Sequence, residues 1–271
     1  MGAVKNPMDS GNLDTGSVAG CLVDAWRYVA GQFPGHVLAN VGPVAVTLSH
    51  TDCPFFNMIT LSAPLESQAA LRQAIATAHG YAEACPHDAM LLLSPDWLPA
   101  NGAAILAEAG LAYSMSMWGM AAFALAPARR DEPALEFRFA SDEATALDVG
   151  RVNADAYGMP HNAFAVTGTL PRWTGTQVAV VGYEDGRAVT AAQAYLLGAV
   201  IYIAMVATLP GLHGRGYGEA AMRRAIEAVQ HVAGPKRLWL HATEMGRPLY
   251  RAMGFADGAQ MDLYAFAPAR A

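Results

Sequence analysis

Two hydrophobic rhythms alternate along the chain and then repeat. Apolar runs rich in β-branched residues stand at 37–40, 43–49, 56–61 and 90–93, and apolar positions at helical spacing fill 67–79 between the last two. The same order returns as strands at 177–183, 188–197 and 200–208, a helix over 219–233 and a strand at 237–241. Strand runs and helical stripes are told apart by their period, 2 against 3.6. Each series opens with a helical pattern, Val18-Leu22-Trp26-Val29 in one and Ala144, Leu147 and 151–157 in the other. Each also closes alike: a short helix, a Gly-apolar pair (Gly110-Leu111, Gly254-Phe255), a last strand and Ala-Pro-Ala. The uncharged stretch 111–126 supplies the last strand of the first series. Two diverged copies of one α/β unit account for this order. Charge and proline concentrate at 127–134, the expected linker. The expected organisation is therefore a flexible tail over 1–16, a first domain over 17–126 and a second over 135–271.

Composition narrows the class. With 54% hydrophobic and 15% charged residues in 271, the chain buries a sizeable core and does not stay disordered. A net charge of -6 lacks the basic face that phosphate backbones require, so nucleic acid is not the expected partner. A small molecule or another protein is. Lys5 and Lys236 are the only lysines, which leaves arginine to supply the other positive charges and suits planar recognition of phosphate or carboxylate. The 25 residues from Ala188 to Leu212 carry no charge, but Gly198 divides them and Pro210-Gly211 closes them. That grammar belongs to two buried strands and a tight turn rather than a membrane span. Residues 1–17 lack the apolar core of a signal peptide, and Cys21, Cys53 and Cys85 form neither a CxxC pair nor a metal spacing. An odd number of cysteines fits free thiols in a reducing compartment, so a cytoplasmic protein without metal is expected.

The chemistry concentrates in Thr208-Leu-Pro-Gly-Leu-His-Gly-Arg-Gly-Tyr-Gly-Glu219, where a strand passes through a glycine-rich loop into an amphipathic helix. Such a junction binds anions: the first amides of the helix lack partners, the dipole presents its positive end, and glycine lets a ligand approach the backbone. A plain glycine-rich turn is the bland alternative. Walker A is excluded because no Gly-Lys-Ser/Thr follows. Gly216-Tyr-Gly-Glu-Ala-Ala221 fits the dinucleotide fingerprint, yet several strands precede it and the ribose-binding acid about 20 residues on is missing.

These residues resemble the GNAT superfamily of acyl-CoA N-acyltransferases. His213-Gly-Arg-Gly-Tyr-Gly218 fills that family's pyrophosphate motif, Gln/Arg-x-x-Gly-x-Gly/Ala, except at the first position. Leu249-Tyr-Arg-Ala-Met-Gly-Phe255 fills its second landmark, Leu-Tyr-x-x-x-Gly-Phe. The likeness covers about 177–266, and the first half shares only the order of elements. It implies two GNAT-like α+β domains, each a mixed, mostly antiparallel twisted sheet flanked by helices, with central strands that splay apart to hold the pantetheine arm. The implied cofactor is acetyl-CoA or another short acyl-CoA. Val206, Ala207 and Thr208 would bond the arm through their backbone, the loop from His213 through Gly214, Arg215, Gly216, Tyr217 and Gly218 to Glu219 would hold the pyrophosphate, and Thr243 is a further contact.

The implied reaction moves an acyl group from the thioester to a primary amine of a small molecule or peptide by direct attack in a ternary complex. Tyr250 resembles the general acid that protonates the departing thiolate, and a backbone N–H near Val206 would polarise the carbonyl. No carboxylate lies on the 202–208 strand face, so His241, at the end of the next strand, is the leading base candidate. Glu244, Asp155 and His161 are alternatives, as is ordered water. Tyr157 and His161, in the segment running on to Trp173, and Arg247 are the candidate acceptor contacts. A core aromatic role for Tyr250 and a structural one for His241 are the competing readings. The first half lacks the equipment: Leu106 aligns with Tyr250, no glycine occurs from 43 to 79, and the junction at 61–67 carries Pro64 and Glu66. A non-catalytic acyl-CoA sensor and a dinucleotide-dependent oxidoreductase are the alternative functions.

Overall fold

A computed structural model describes residues 13–169 and 175–266. Asp14 accepts a hydrogen bond from the Ser17 amide at 2.8 Å and caps α1 (Thr15–Ala30), which buries Val18, Cys21, Leu22 and Ala25. This cap starts the helix inside the stretch expected as tail, and residues 1–12 lie outside the description. A tight turn joins β1 (Val37–Val41) to β2 (Val44–Leu48); β3 (Asn57–Leu61), α2 (Gln68–Ala84) and β4 (Met90–Leu93) follow. The helix passes the expected stop at His79 because Gly80 lies on its exposed side, while Tyr81 and Ala82 pack on the core. Next come α3 (Gly102–Glu108) and β5 (Leu111–Ala122).

The second series consists of β6 (Glu136–Phe139), α4 (Glu143–Tyr157), α5 (His161–Phe164), β7 (Gln177–Glu184), β8 (Arg187–Leu197), β9 (Val200–Thr208), α6 (Tyr217–Ala233), β10 (Arg237–Thr243), α7 (Arg247–Ala252) and β11 (Ala256–Phe266). Strand β6 has no counterpart in the first series. Four residues with a Glu136–Arg138 ion pair are too short and too polar to stand out as strand in the sequence.

Two compact units emerge, and neither is a continuous piece of chain. Of the described residues, one contains 13–120 together with 242–247 and 257–266; the other contains 121–169, 175–241 and 248–256. The strand order in the first is β1-β2-β3-β4-β11-β5, with β3 and β4 parallel across the α2 crossover. In the second it is β10-β9-β8-β7-β6, with β9 and β10 parallel across α6 and the other pairs antiparallel. The last strand of the second series therefore sits beside β4, in register Asp262↔Leu93 through Ala265↔Met90. The expected ranges of 17–126 and 135–271 leave β11 with the second series rather than beside β4, since apolar alternation marks a strand without naming its neighbour. Residues 127–134 carry no regular element.

Each unit has its own core. In the first, Val46, Ile59, Leu71, Leu91 and Leu106 interlock, with Tyr264 and Phe266 of β11 packed against them. In the second, Val149 and Val152 of α4 meet Val181, Val189 and Ala191 of the sheet. Side chains so completely enclosed contribute about 1.5–3 kcal/mol each.

Candidate cofactor and catalytic site

Strand β9 leaves both its neighbours before it ends. Its pairing with β10 stops at Leu240↔Ile203, five residues short of Thr208. Against β8 the register slips between Gln193↔Ala204 and Ala191↔Ala207, so Met205 and Val206 together oppose Ala192. This is a β-bulge, which bends a strand and sharpens its twist. Met205 takes the left-handed conformation, φ 49°, rarely adopted by an unbranched non-glycine residue outside turns. Residues 204–206 are half-buried where 200–203 are fully enclosed.

Past the bulge the chain turns on three left-handed glycines: Gly211 at φ 82°, Gly214 at 78° and Gly216 at 81°. A side chain would meet no neighbour at any of them, so it is the backbone conformation that requires glycine. Gly218 serves closeness instead: a Cβ there would lie 3.2 Å from Thr208 Oγ1, with Val206 and Leu249 just beyond. The first turn of α6 thus rests on the end of β9. Gly216 is the N-cap of α6 and supplies no side-chain oxygen, which leaves the opening amides and the positive end of a 17-residue helix for an outside anion. The matching helix of the first series is closed: Ser67 caps α2, accepting from the Ala70 amide at 3.1 Å, and no residue of the 61–67 junction has positive φ.

The loop is held from its sides. His213 Nε2 lies 3.0 Å from the Thr208 carbonyl, and Arg130 in the linker donates to the Gly214 carbonyl. Tyr217 donates its hydroxyl to Glu184 at 2.5 Å, with Arg215 3.5 Å from the same carboxylate. Those two side chains are thereby engaged with Glu184, so their share in an anion site is through the backbone. Beside Gly216 opens a cavity of about 280 Å³, walled by Ala128 and residues 130–133 of the linker and by Glu219, Arg223 and Arg224. Glu219 is paired with Arg223 at 2.7 Å, which offsets its charge near the anion site.

Tyr250 on α7 is 8% exposed and packs edge-on against Phe255, ring centroids 6.1 Å apart. Burial first, and the neighbouring Tyr157 phenol second, push its pKa well above the ordinary tyrosine value. Tyr157, at the end of α4, is 42% exposed as a residue, yet burial around its hydroxyl raises its pKa as well. The structure thus brings together the expected acid and one expected acceptor contact. His241 is half-buried, its Nδ1 lying 2.8 Å from the Tyr202 hydroxyl and its ring beside the Tyr202 ring. For Nε2 to accept a proton, Nδ1 must carry the other and donate it to Tyr202.

Residues 155–255 match the family model described as the acetyltransferase (GNAT) family. This segment is thus similar to a GNAT domain. No curated protein matches the sequence. Among solved structures, a GCN5-related N-acetyltransferase from Kribbella flavida superposes with a TM-score of 0.67 at 19% identity, covering 96% of this chain and 97% of that one. A functionally unknown conserved protein from Staphylococcus epidermidis gives 0.63 at 13% identity over 86% and 95%. A GCN5-related N-acetyltransferase from Sphaerobacter thermophilus gives 0.52 at 13% over 83% and 78%. The GNAT fold therefore extends over nearly the whole chain, although the family model matches the second half alone.

Other expected site residues fall elsewhere. Asp155 and His161 contact each other on the exposed surface, His161 Nε2 lying 2.8 Å from Asp155 Oδ1. Thr243, Glu244 and Arg247 belong to the first unit. There Thr243 Oγ1 accepts from the Gly246 amide at 3.3 Å, and Arg247 lies 4.1 Å over the Trp118 ring, paired with Glu244 at 3.4 Å and Asp257 at 3.3 Å. These contacts occupy its guanidinium, so neither a substrate carboxylate nor a phosphate is needed to explain it. Trp173 lies outside the described residues. In the first series Leu106 is core, 1% exposed. Sequence reasoning missed Arg130, Glu184 and the left-handed Met205, and also Asn153 and Gln193 beside the bulge. An Asn among Val149, Val152 and Ala156 on the apolar face of α4 was the one available signal. Among the described residues no group of three metal-binding side chains occurs, and no helix is long and apolar enough to cross a membrane.

Proposed function

We propose that this chain is an N-acetyltransferase that carries an acetyl, or another short acyl, group from acetyl-CoA to a primary amine of a small molecule or peptide. The observation that carries the reading is the uncapped start of α6 at Gly216, placed where β9 bulges and parts from β10. A phosphate-bearing cofactor matches the amides at one end of that cleft. Its extended arm matches the unpaired edge of 204–208 at the other. Val206 has no Cα partner in either register, and its N–H, at the bulge, is the donor that would polarise the thioester carbonyl. His241 Nε2, directly or through water, takes the amine proton, and attack on the carbonyl carbon releases the CoA thiolate. Tyr250, kept protonated by burial, donates to that thiolate. Tyr157 lines the acceptor side. The three cysteines are free thiols, two of them buried and Cys53 pushed up to about 12 by burial, which supports a reducing, cytoplasmic setting.

Titration calorimetry with acetyl-CoA, using NADH as the control, tests this. One acetyl-CoA per chain, abolished by Gly216→Glu, is the expected result, followed by thiol release with an amine panel. Binding without turnover of any amine would identify a sensor. Binding of NADH alone would return the loop to dinucleotide chemistry.

A further inference from the structure

Two buried carboxamides from different elements converge on the one left-handed residue of β9. Asn153, 0% exposed in α4, donates through Nδ2 to Val149 O at 2.8 Å and, over a longer 3.4 Å, to Met205 O. Gln193, 4% exposed on β8, donates through Nε2 to Met205 Sδ at 3.0 Å. Gln193 is also the last residue of β8 in register before the slip. Asn153 Oδ1 has no hydrogen-bond partner and is sealed from solvent. Packing alone does not account for Asn here: a leucine would fill a similar space without stranding an acceptor. What the amide adds is a donor to the bulge.

We infer that Asn153 and Gln193 are positioning residues that fix the Met205–Val206 peptide, and through it the direction in which the Val206 N–H meets the acyl carbonyl. The inference rests on the acyltransferase reading above. A left-handed non-glycine residue persists only where its surroundings over-determine it, and Met205 is held at both its carbonyl and its sulfur. The peptide that follows Met205 supplies the Val206 N–H, so a rotation of this unit turns the donor away while leaving the anion loop untouched. Because α4 carries both Asn153 and Tyr157, the same helix fixes the carbonyl donor and one wall of the acceptor side. Donors aimed in advance at a developing oxyanion act only when they keep that aim, and a small misplacement costs on the order of 100-fold in rate.

Isotope-edited infrared spectroscopy of the full-length protein with acetyl-CoA labelled at the thioester carbonyl reads this directly. In the unaltered protein the bound carbonyl band is expected below its position in free acetyl-CoA. In Asn153→Leu the band should return at least halfway to the free position, while calorimetric affinity stays within about threefold and kcat falls on the order of 100-fold. Asn153→Ala, which removes the donor and leaves a cavity, should shift the band equally while lowering thermal stability, which Asn153→Leu does not. A merely structural residue would move band and stability together. Gln193→Leu removes the other clamp and is read in the same way should the first variant not fold. A full band shift retained in these folded variants would overturn the positioning role and leave the acyltransferase reading intact. An unshifted band in the unaltered protein would overturn it too, because Val206 then polarises nothing. Failure of the unaltered protein to bind acetyl-CoA would be the failure of the acyltransferase reading itself.

Discussion

Tyr250 shows what a single environment does to a single group. Its hydroxyl sits in a buried site beside a second phenol, so ionisation is disfavoured first by desolvation and then by Tyr157. The shift makes it a persistent donor rather than a readily ionised acid. Tyr250→Phe keeps the ring and its contact with Phe255 and removes only the donor. The expected result is a fall in kcat on the order of 100-fold with acetyl-CoA affinity unchanged, read by steady-state kinetics beside calorimetry. The pH dependence has a defined sign. With the folded pKa above the unfolded value of about 10, the unfolded chain releases its proton first, so the contribution to stability is complete below pH 10 and is lost as pH rises beyond it. The kcat profile of the unaltered protein should accordingly show no decline from this tyrosine below pH 10, and a descending limb centred nearer 8 that Tyr250→Phe abolishes would contradict the effect of burial. Tyr250 was legible in the sequence because its motif fixes neighbours on both sides. Met205 was not, because nothing in a methionine announces a left-handed backbone, and Asn153 gained its meaning only when α4 was laid against that residue.

Helices α2 and α6 occupy equivalent places in the repeat and differ at one position in what they offer a ligand. Ser67 satisfies an opening amide of α2 from within, whereas Gly216 leaves those of α6 to the outside and adopts a conformation that a Cβ would strain. Strand and helix positions were largely readable here, since buried strands and a strong helical stripe follow from composition and period alone. The glycine run was readable too, since its conformational preference is written into residue type. The bulge and the splay were not, because the apolar run of 200–208 continues unbroken while the ladder partners change. Ser67→Ala should cost about 1 kcal/mol of stability by chemical denaturation and leave one acetyl-CoA bound per chain. Gly216→Ala forces an αL position and should destabilise by about 1–2 kcal/mol while weakening acetyl-CoA binding at least tenfold. Equal effects of the two on binding would mean that the first helix start also holds cofactor.

At the scale of the molecule, the repeat legible in the sequence and the units formed in space do not coincide. The halves share the order of most of their elements, and residues 127–134 carry no regular structure, but β11 closes the sheet of the first unit against β4. Periodicity assigns a residue to a face of a strand; the choice of neighbouring strand depends on long-range pairing that leaves no local mark. The consequence is mechanical. A fragment of residues 13–126 contains β4 and β5 but not the strand between them, so the edge of β4 and the buried Leu91, Leu92 and Leu93 lose one wall. Exposed apolar strand edges pair with other copies, so the fragment is expected to aggregate and to show no cooperative thermal transition by circular dichroism. A shorter cut makes the same point within the full chain: ending it at Ala256 should abolish the cooperative transition although the loop, Gly216 and Tyr250 are all retained. If the 13–126 fragment instead melted cooperatively as a monomer, β11 would be an accessory to the first unit, and the duplicated halves would be independent domains that merely exchange a strand.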